Sequence, residues 1–201
     1  MKIEDKEILK LPGFWIDHPD RDWAFLVKML LDKILDQLNE ARLVLRLYEA
    51  SNGSASQVNG CDQRLHLIYA KSFVYALDAV GQLIRVLQKQ EKLPVLASDK
   101  CKTFLVQFGE LRDLRNSLQH IEDRLRGLGR HGKPIPSTLL VLGGFRNNDH
   151  FGATTAEGRY VEIEVSNSVL IQVNTIVEDL VWCFDWLGPG NIRLERPNPD
   201  A

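Results

Sequence analysis

The residues of this chain best suited to chemistry stand together at Arg115-Asn116-Ser117-Leu118-Gln119-His120. An imidazole can take up and return a proton, and a guanidinium can neutralise charge that develops on a phosphoryl group. On one helix, Asn116 precedes His120 by a single turn, so its amide can orient the ring or hold a substrate. Arg115 and His120 fall about 140° apart around an ideal helix, Arg115 bordering the apolar seam and His120 nearly opposite it. The fitting chemistry is proton removal from a hydroxyl nucleophile and proton return to a leaving oxygen, as between a ribose 2′-hydroxyl and a 5′-oxygen, with no metal required. The same residues also admit a structural reading, with Arg115 paired to Glu122 along the seam edge and His120 solvated.

Basic residues gather around this segment. From Leu111 to Lys133 there are six Arg or Lys (Arg112, Arg115, Arg124, Arg126, Arg130, Lys133) against three acids (Asp113, Glu122, Asp123). Arg112, Arg124, Arg130 and Lys133 are therefore candidates for holding a polyanion. The net charge of −2 over the whole chain excludes a globally basic nucleic-acid binder, so an anionic partner needs this local patch.

Other candidates are weaker. Asp149-His150 has no further ligand at metal-site spacing and reads as a turn. The Arg130-His131-Gly132-Lys133 loop reads as a solvated basic loop or a phosphate contact, and Trp182-Cys183-Phe184-Asp185-Trp186 as core on a helix. A second formal match to an Arg-x4-His spacing, Arg126 to His131, is set aside: Gly127 stands at its polar position, and a glycine-rich loop does not fix catalytic geometry. No phosphate-cradling glycine loop, dinucleotide fingerprint or His-Glu-x-x-His pattern is present, so neither metal nor cofactor is expected.

The elements that must position these residues follow from periodicity. With 201 residues, 44% apolar and 26% charged, the chain is long enough to fold as one domain by ordinary burial. The single domain is expected to span 1–201, with its helical core from about 20 to 188. No proline falls between Pro19 and Pro94, and Val27, Leu31, Ile34, Leu38, Ala41, Leu45 and Tyr48 repeat in heptad fashion. The spacing predicts a helix from Asp22 to Ala50, capped by Asp20 or Asp22, a loop from Ser51 to Gly60, and a second helix from Asp62 to Glu91. Gly81 inside it reads as a close helix contact. A third long helix is expected after Ser98-Asp99, with the seam Phe104, Gln107, Leu111, Leu114, Leu118, Ile121, Leu125 and Leu128, ending in Gly127, Gly129 and Gly132. Alternation in Arg159–Val165 predicts strands, and a fourth helix runs from Ser166 or Asn167 to Gly188. The expected fold is mainly α: a four-helix bundle with a small β-hairpin inserted between the third and fourth long helices. The charged N-terminus, the absence of a long apolar run and three unpaired cysteines (Cys61, Cys101, Cys183) suggest a reduced, cytoplasmic protein.

Arg115-Asn116-x-x-x-His120, on a late helix of a helical bundle, resembles the Arg-polar-x-x-x-His signature of the HEPN superfamily. The resemblance implies a metal-independent endoribonuclease cutting RNA by 2′-hydroxyl attack, and a toxin or phage-defence role with an antitoxin or nucleotidyltransferase partner. It implies His120 as general acid/base, Arg115 as phosphate and transition-state ligand, Asn116 as orienting group, and a homodimer in which two His120 side chains approach each other. The alternative within the same resemblance is a non-catalytic helical module that binds a protein or nucleotide partner.

Overall fold

A computed structural model describes residues 9–54, 62–146 and 149–197. The expected 51–60 loop lies largely outside the described residues, as do Cys61 and the ends of the chain. The described part is mainly helical with small antiparallel sheets.

Two long helices carry the fold: α1 (Arg21–Ser54) and α2 (Asp62–Gln88). Asp20 caps α1, its Oδ1 accepting a hydrogen bond from the Trp23 amide at 3.0 Å. The heptad residues Val27, Leu31, Ile34, Leu38, Ala41, Leu45 and Tyr48 are all buried, because seven residues in two turns keep one stripe facing α2. α2 answers with Phe73, Val74, Leu77, Val80, Ile84 and Leu87. By length and composition α2 from Arg64 to Gln88 is apolar enough to cross a membrane, and half of its most apolar stretch is buried inside the protein. At Gly81 a Cβ would lie 3.3 Å from the Phe104 ring, so the missing side chain lets the next helix approach.

The expected third helix is instead three: α3 (Val95–Gln107), α4 (Leu111–Gln119) and α5 (Ile121–Leu125). α3 starts four residues earlier than Ser98-Asp99 implied, with Pro94 as its N-cap. It breaks at Phe108-Gly109-Glu110, where a Cβ on residue 109 would come 2.7 Å from the Leu105 carbonyl oxygen. The second break is at His120 (φ −101°, ψ 44°), which ends α4 and opens α5. Rotation of the chain there brings Arg124 inside and leaves Ile121 and Leu125 exposed, so the seam read through those two leucine-type positions stops at Leu118.

A three-stranded antiparallel sheet lies between α5 and the last helix in sequence: β2 (Gly144–Phe145), β3 (His150–Thr154) and β4 (Tyr160–Glu164), with Phe151 opposite Ile163 and Ala153 opposite Val161. Phe151, Ala153 and Val161 join the common core, and β3 and β4 pack on α4. α6 (Asn167–Val181) is capped by Ser166, whose side chain accepts from the Val169 amide. It ends seven residues before Gly188, because Trp182 takes the C-cap and the chain turns into a strand.

That strand ties the two ends of the described chain together. Counting β1 as Trp15–Ile16, β5 is Trp186–Leu187 and β6 is Arg193–Leu194, in the order β1-β5-β6. Trp186, expected on a helix, is fully buried on β5, and its indole N–H donates to the Val181 carbonyl at 2.8 Å.

Candidate active site

α4 turns Leu111, Leu114 and Leu118 inward, onto α2 and the β-sheet. Four-residue spacing then puts Arg112, Asn116 and His120 together on its outer side, where all three line an open cleft of about 560 Å³. The rest of the lining comes from Asp113, from Asp123 and Arg124, from Gly129-Arg130-His131, and from Ala156-Glu157 in the β3–β4 turn. Arg159 holds that turn to α4, reaching Glu110 and Asp113 at 3.4 Å each. Three arginines (Arg112, Arg124, Arg130) face three carboxylates (Asp113, Asp123, Glu157) in this lining, beside the two histidines.

Arg115 points elsewhere. Its Nε lies 3.1 Å from Oδ2 of Asp78 on α2, a carboxylate only 2% exposed. Its Nη1 donates to Oδ1 of Asn116 at 3.0 Å and to Oε1 of Gln119 at 2.7 Å. The expected Arg115–Glu122 pair is replaced by this inward one, because residue 115 borders the α2 contact while residue 122 lies beyond the break at His120. Arg115 is not among the residues lining the cleft; its guanidinium is engaged by Asp78, Asn116 and Gln119.

His120 is well exposed, and its Nδ1 stands 3.8 Å from Oε1 of Glu122. The break also gathers ligand atoms of His120, Glu122 and Asp123 within 4.8 Å of one another, a grouping the sequence reading did not anticipate. Asp123 already accepts from Arg126 at 2.6 Å, and arginines surround the group, which disfavours an added cation there.

The remaining sequence candidates separate. Arg112 lines the cleft from α4, and Arg130 lines it from the loop with Nη1 3.8 Å from Oε1 of Glu157. Lys133 lines an adjoining hollow of about 450 Å³ that shares Arg130, His131, Ala156 and Glu157 with the cleft, so the basic edge is continuous. Arg124 also borders the cleft but is buried, its Nη1 donating to the Leu128 carbonyl. His150 sits in β3 opposite Glu164. Burial pushes the Cys101 thiol from its ordinary value to about 12 and raises that of Cys183, so neither is an activated thiolate.

No family model matches the chain, and no curated protein or solved structure matches it.

The lining residue that sequence reading set aside is His131. Its loop is not loose: Gly129 N–H donates to Lys133 O at 2.6 Å, Arg130 N–H to Ala156 O at 2.9 Å, and Ile135 N–H to Gly127 O at 2.7 Å. A bridge joins Leu128 to Pro134. The signal available in the sequence was the second Arg-x4-His match; what it lacked was the pairing of this loop, at Arg130, with the distant turn at Ala156.

Proposed function

We propose that this protein is a metal-independent endoribonuclease of the HEPN kind, cleaving RNA by 2′-hydroxyl attack. The observation that carries the reading is the placement of Asn116 and His120, one helical turn apart, on the wall of a cleft that Arg112 and Arg130 also line. His120 moves the proton, Asn116 holds the ring or the ribose, and the two arginines neutralise the phosphorane. Arg115 serves this site from behind, through Asn116. Within the same proposal, α1, α2, the α3–α4 segment and α6 act as the four helical positions of a bundle, with the β-sheet as the insertion. The chain works as a cytoplasmic homodimer with α4 and α5 near the two-fold axis, as the toxin or phage-defence half of a pair with an antitoxin or nucleotidyltransferase.

A second reading, a non-catalytic module for a protein partner, is favoured by exposed apolar side chains on α3, where Val95, Leu96 and Val106 are each more than two-thirds exposed. Cleavage of a mixed panel of single-stranded RNAs by wild type and His120→Ala decides between them. The nuclease reading expects a loss of about 10²-fold or more in the variant. Equal background from both proteins would remove it and leave the binding module.

A further inference from the structure

We infer that His131 is a second catalytic residue, and that one chain supplies both the base and the acid for transesterification at a ribose phosphodiester. This assignment rests on the ribonuclease reading above. His120 and His131 line the same cleft from different segments, α4 and the 127–135 loop, with the cations Arg112 and Arg130 in the lining. A 2′-hydroxyl attack needs two proton transfers at different oxygens, and His131 places a second imidazole in the same chain's cleft.

The backbone supports the assignment independently. His131 holds φ 56° and ψ 32°, a left-handed conformation that a non-glycine residue adopts at a cost. The three backbone hydrogen bonds and the bridge around it keep it there. At Gly129 a Cβ would collide with the Ala156 carbonyl oxygen, so the loop seats against the β3–β4 turn only with glycine at that point. A merely solvated basic loop needs none of this. The constraint fixes the direction of one side chain beside the cleft, which catalysis does need.

Position assigns the roles. His120 stands one helical turn from Asn116 on the wall where the Asn116 amide holds the ribose, with the Glu122 carboxylate 3.8 Å from its Nδ1. His131 stands on the loop wall, in a lining shared with Arg130 and Glu157. His120 therefore takes the 2′-hydroxyl proton, and the 2′-oxygen attacks phosphorus. The P–O5′ bond breaks, and His131 in its imidazolium form gives its proton to the leaving 5′-oxygen. The products are a 2′,3′-cyclic phosphate and a 5′-hydroxyl; one proton is taken and one given, and exchange with water restores both rings.

The test uses the full chain with oligoribonucleotides, one all-oxygen and one with sulfur bridging at the 5′ position, whose leaving group needs no proton. His131→Asn is the variant, since asparagine tolerates the left-handed backbone, and Lys102→Ala on α3 is the control. On the all-oxygen RNA, His131→Asn is expected to cleave about 10²-fold more slowly and to lose the alkaline limb of the pH–rate profile. On the sulfur-bridged RNA it is expected to return to within about tenfold of wild type, while His120→Ala does not recover. Wild-type rates and both limbs in His131→Asn, beside a dead His120→Ala, would overturn the His131 role and leave the ribonuclease reading standing. Failure of the sulfur substrate to restore His131→Asn overturns its role as acid. Absence of wild-type cleavage removes both. Co-expressed His120→Ala and His131→Asn chains are expected to stay inactive together; recovered activity would show the pair to be shared between chains and overturn the single-chain assignment.

Discussion

Arg115 and Asp78 form an ion pair of 3.1 Å between α4 and the buried face of α2, and Gln82 supplies a further hydrogen bond to Asp78 at 3.0 Å. The pair ties the α4 segment to the core at the residue next to Asn116. Arg115→Ala leaves the buried carboxylate with an amide alone and is expected to destabilise by about 2–3 kcal/mol, below the full range for buried pairs because the arginine is a third exposed. Urea melts of Arg115→Ala, Asp78→Asn and the double variant measure it. A coupling energy under about 0.5 kcal/mol would mean the two residues act independently.

Arg112 is exposed on α4 and Arg124 is buried on α5, and their substitutions are expected to diverge. Arg112→Ala removes an exposed cleft cation: RNA binding weakens at low salt, the salt slope falls by about one charge, and stability stays within about 0.5 kcal/mol. Arg124→Ala removes the donor to Leu128 and a packed stem, with an expected loss of about 1–3 kcal/mol. Fluorescence anisotropy across a salt series, with melts of both variants, distinguishes them. If Arg124→Ala lowers affinity without lowering stability, its placement as a structural cation is wrong.

EDTA is expected to leave RNA cleavage unchanged, since the proton transfers proposed for His120 and His131 need no cation. The competing outcome has a defined location. A requirement for an added divalent ion, abolished in Glu122→Gln and Asp123→Asn, would make His120, Glu122 and Asp123 a cation site and replace the two-histidine mechanism.

Cys101 in α3 is fully buried, and burial pushes its thiol from 9.0 up to about 12. Below pH 9 the thiol is protonated in both folded and unfolded chains and contributes no pH dependence. Between about pH 9 and 12 only the unfolded chain ionises, so stability falls as pH rises, by up to about 1.4 kcal/mol per unit. Urea midpoints at pH 8 to 11 for wild type and Cys101→Ala should show a shallower decline in the variant. Parallel declines would place the alkaline sensitivity elsewhere.

The helical content and its buried stripes were legible in the sequence because a heptad repeat states which side of a helix faces a partner. Val27 to Tyr48 on α1 is buried at every position so read, and Asp20 and Ser166 cap the helices they precede. The repeat could not report the breaks at Gly109 and His120, since each depends on one backbone torsion or close approach that leaves the apolar spacing intact. Nor could it give the partner of Arg115: Asp78 lies 37 residues earlier, while Glu122 lies at helical spacing and is separated from it by the break at His120. The grouping of His120 with His131 was likewise decided in three dimensions. Local pattern gives the phase of a side chain on its own element, whereas the company it keeps depends on where the chain turns and on which distant turn, here Ala156-Glu157, docks against it.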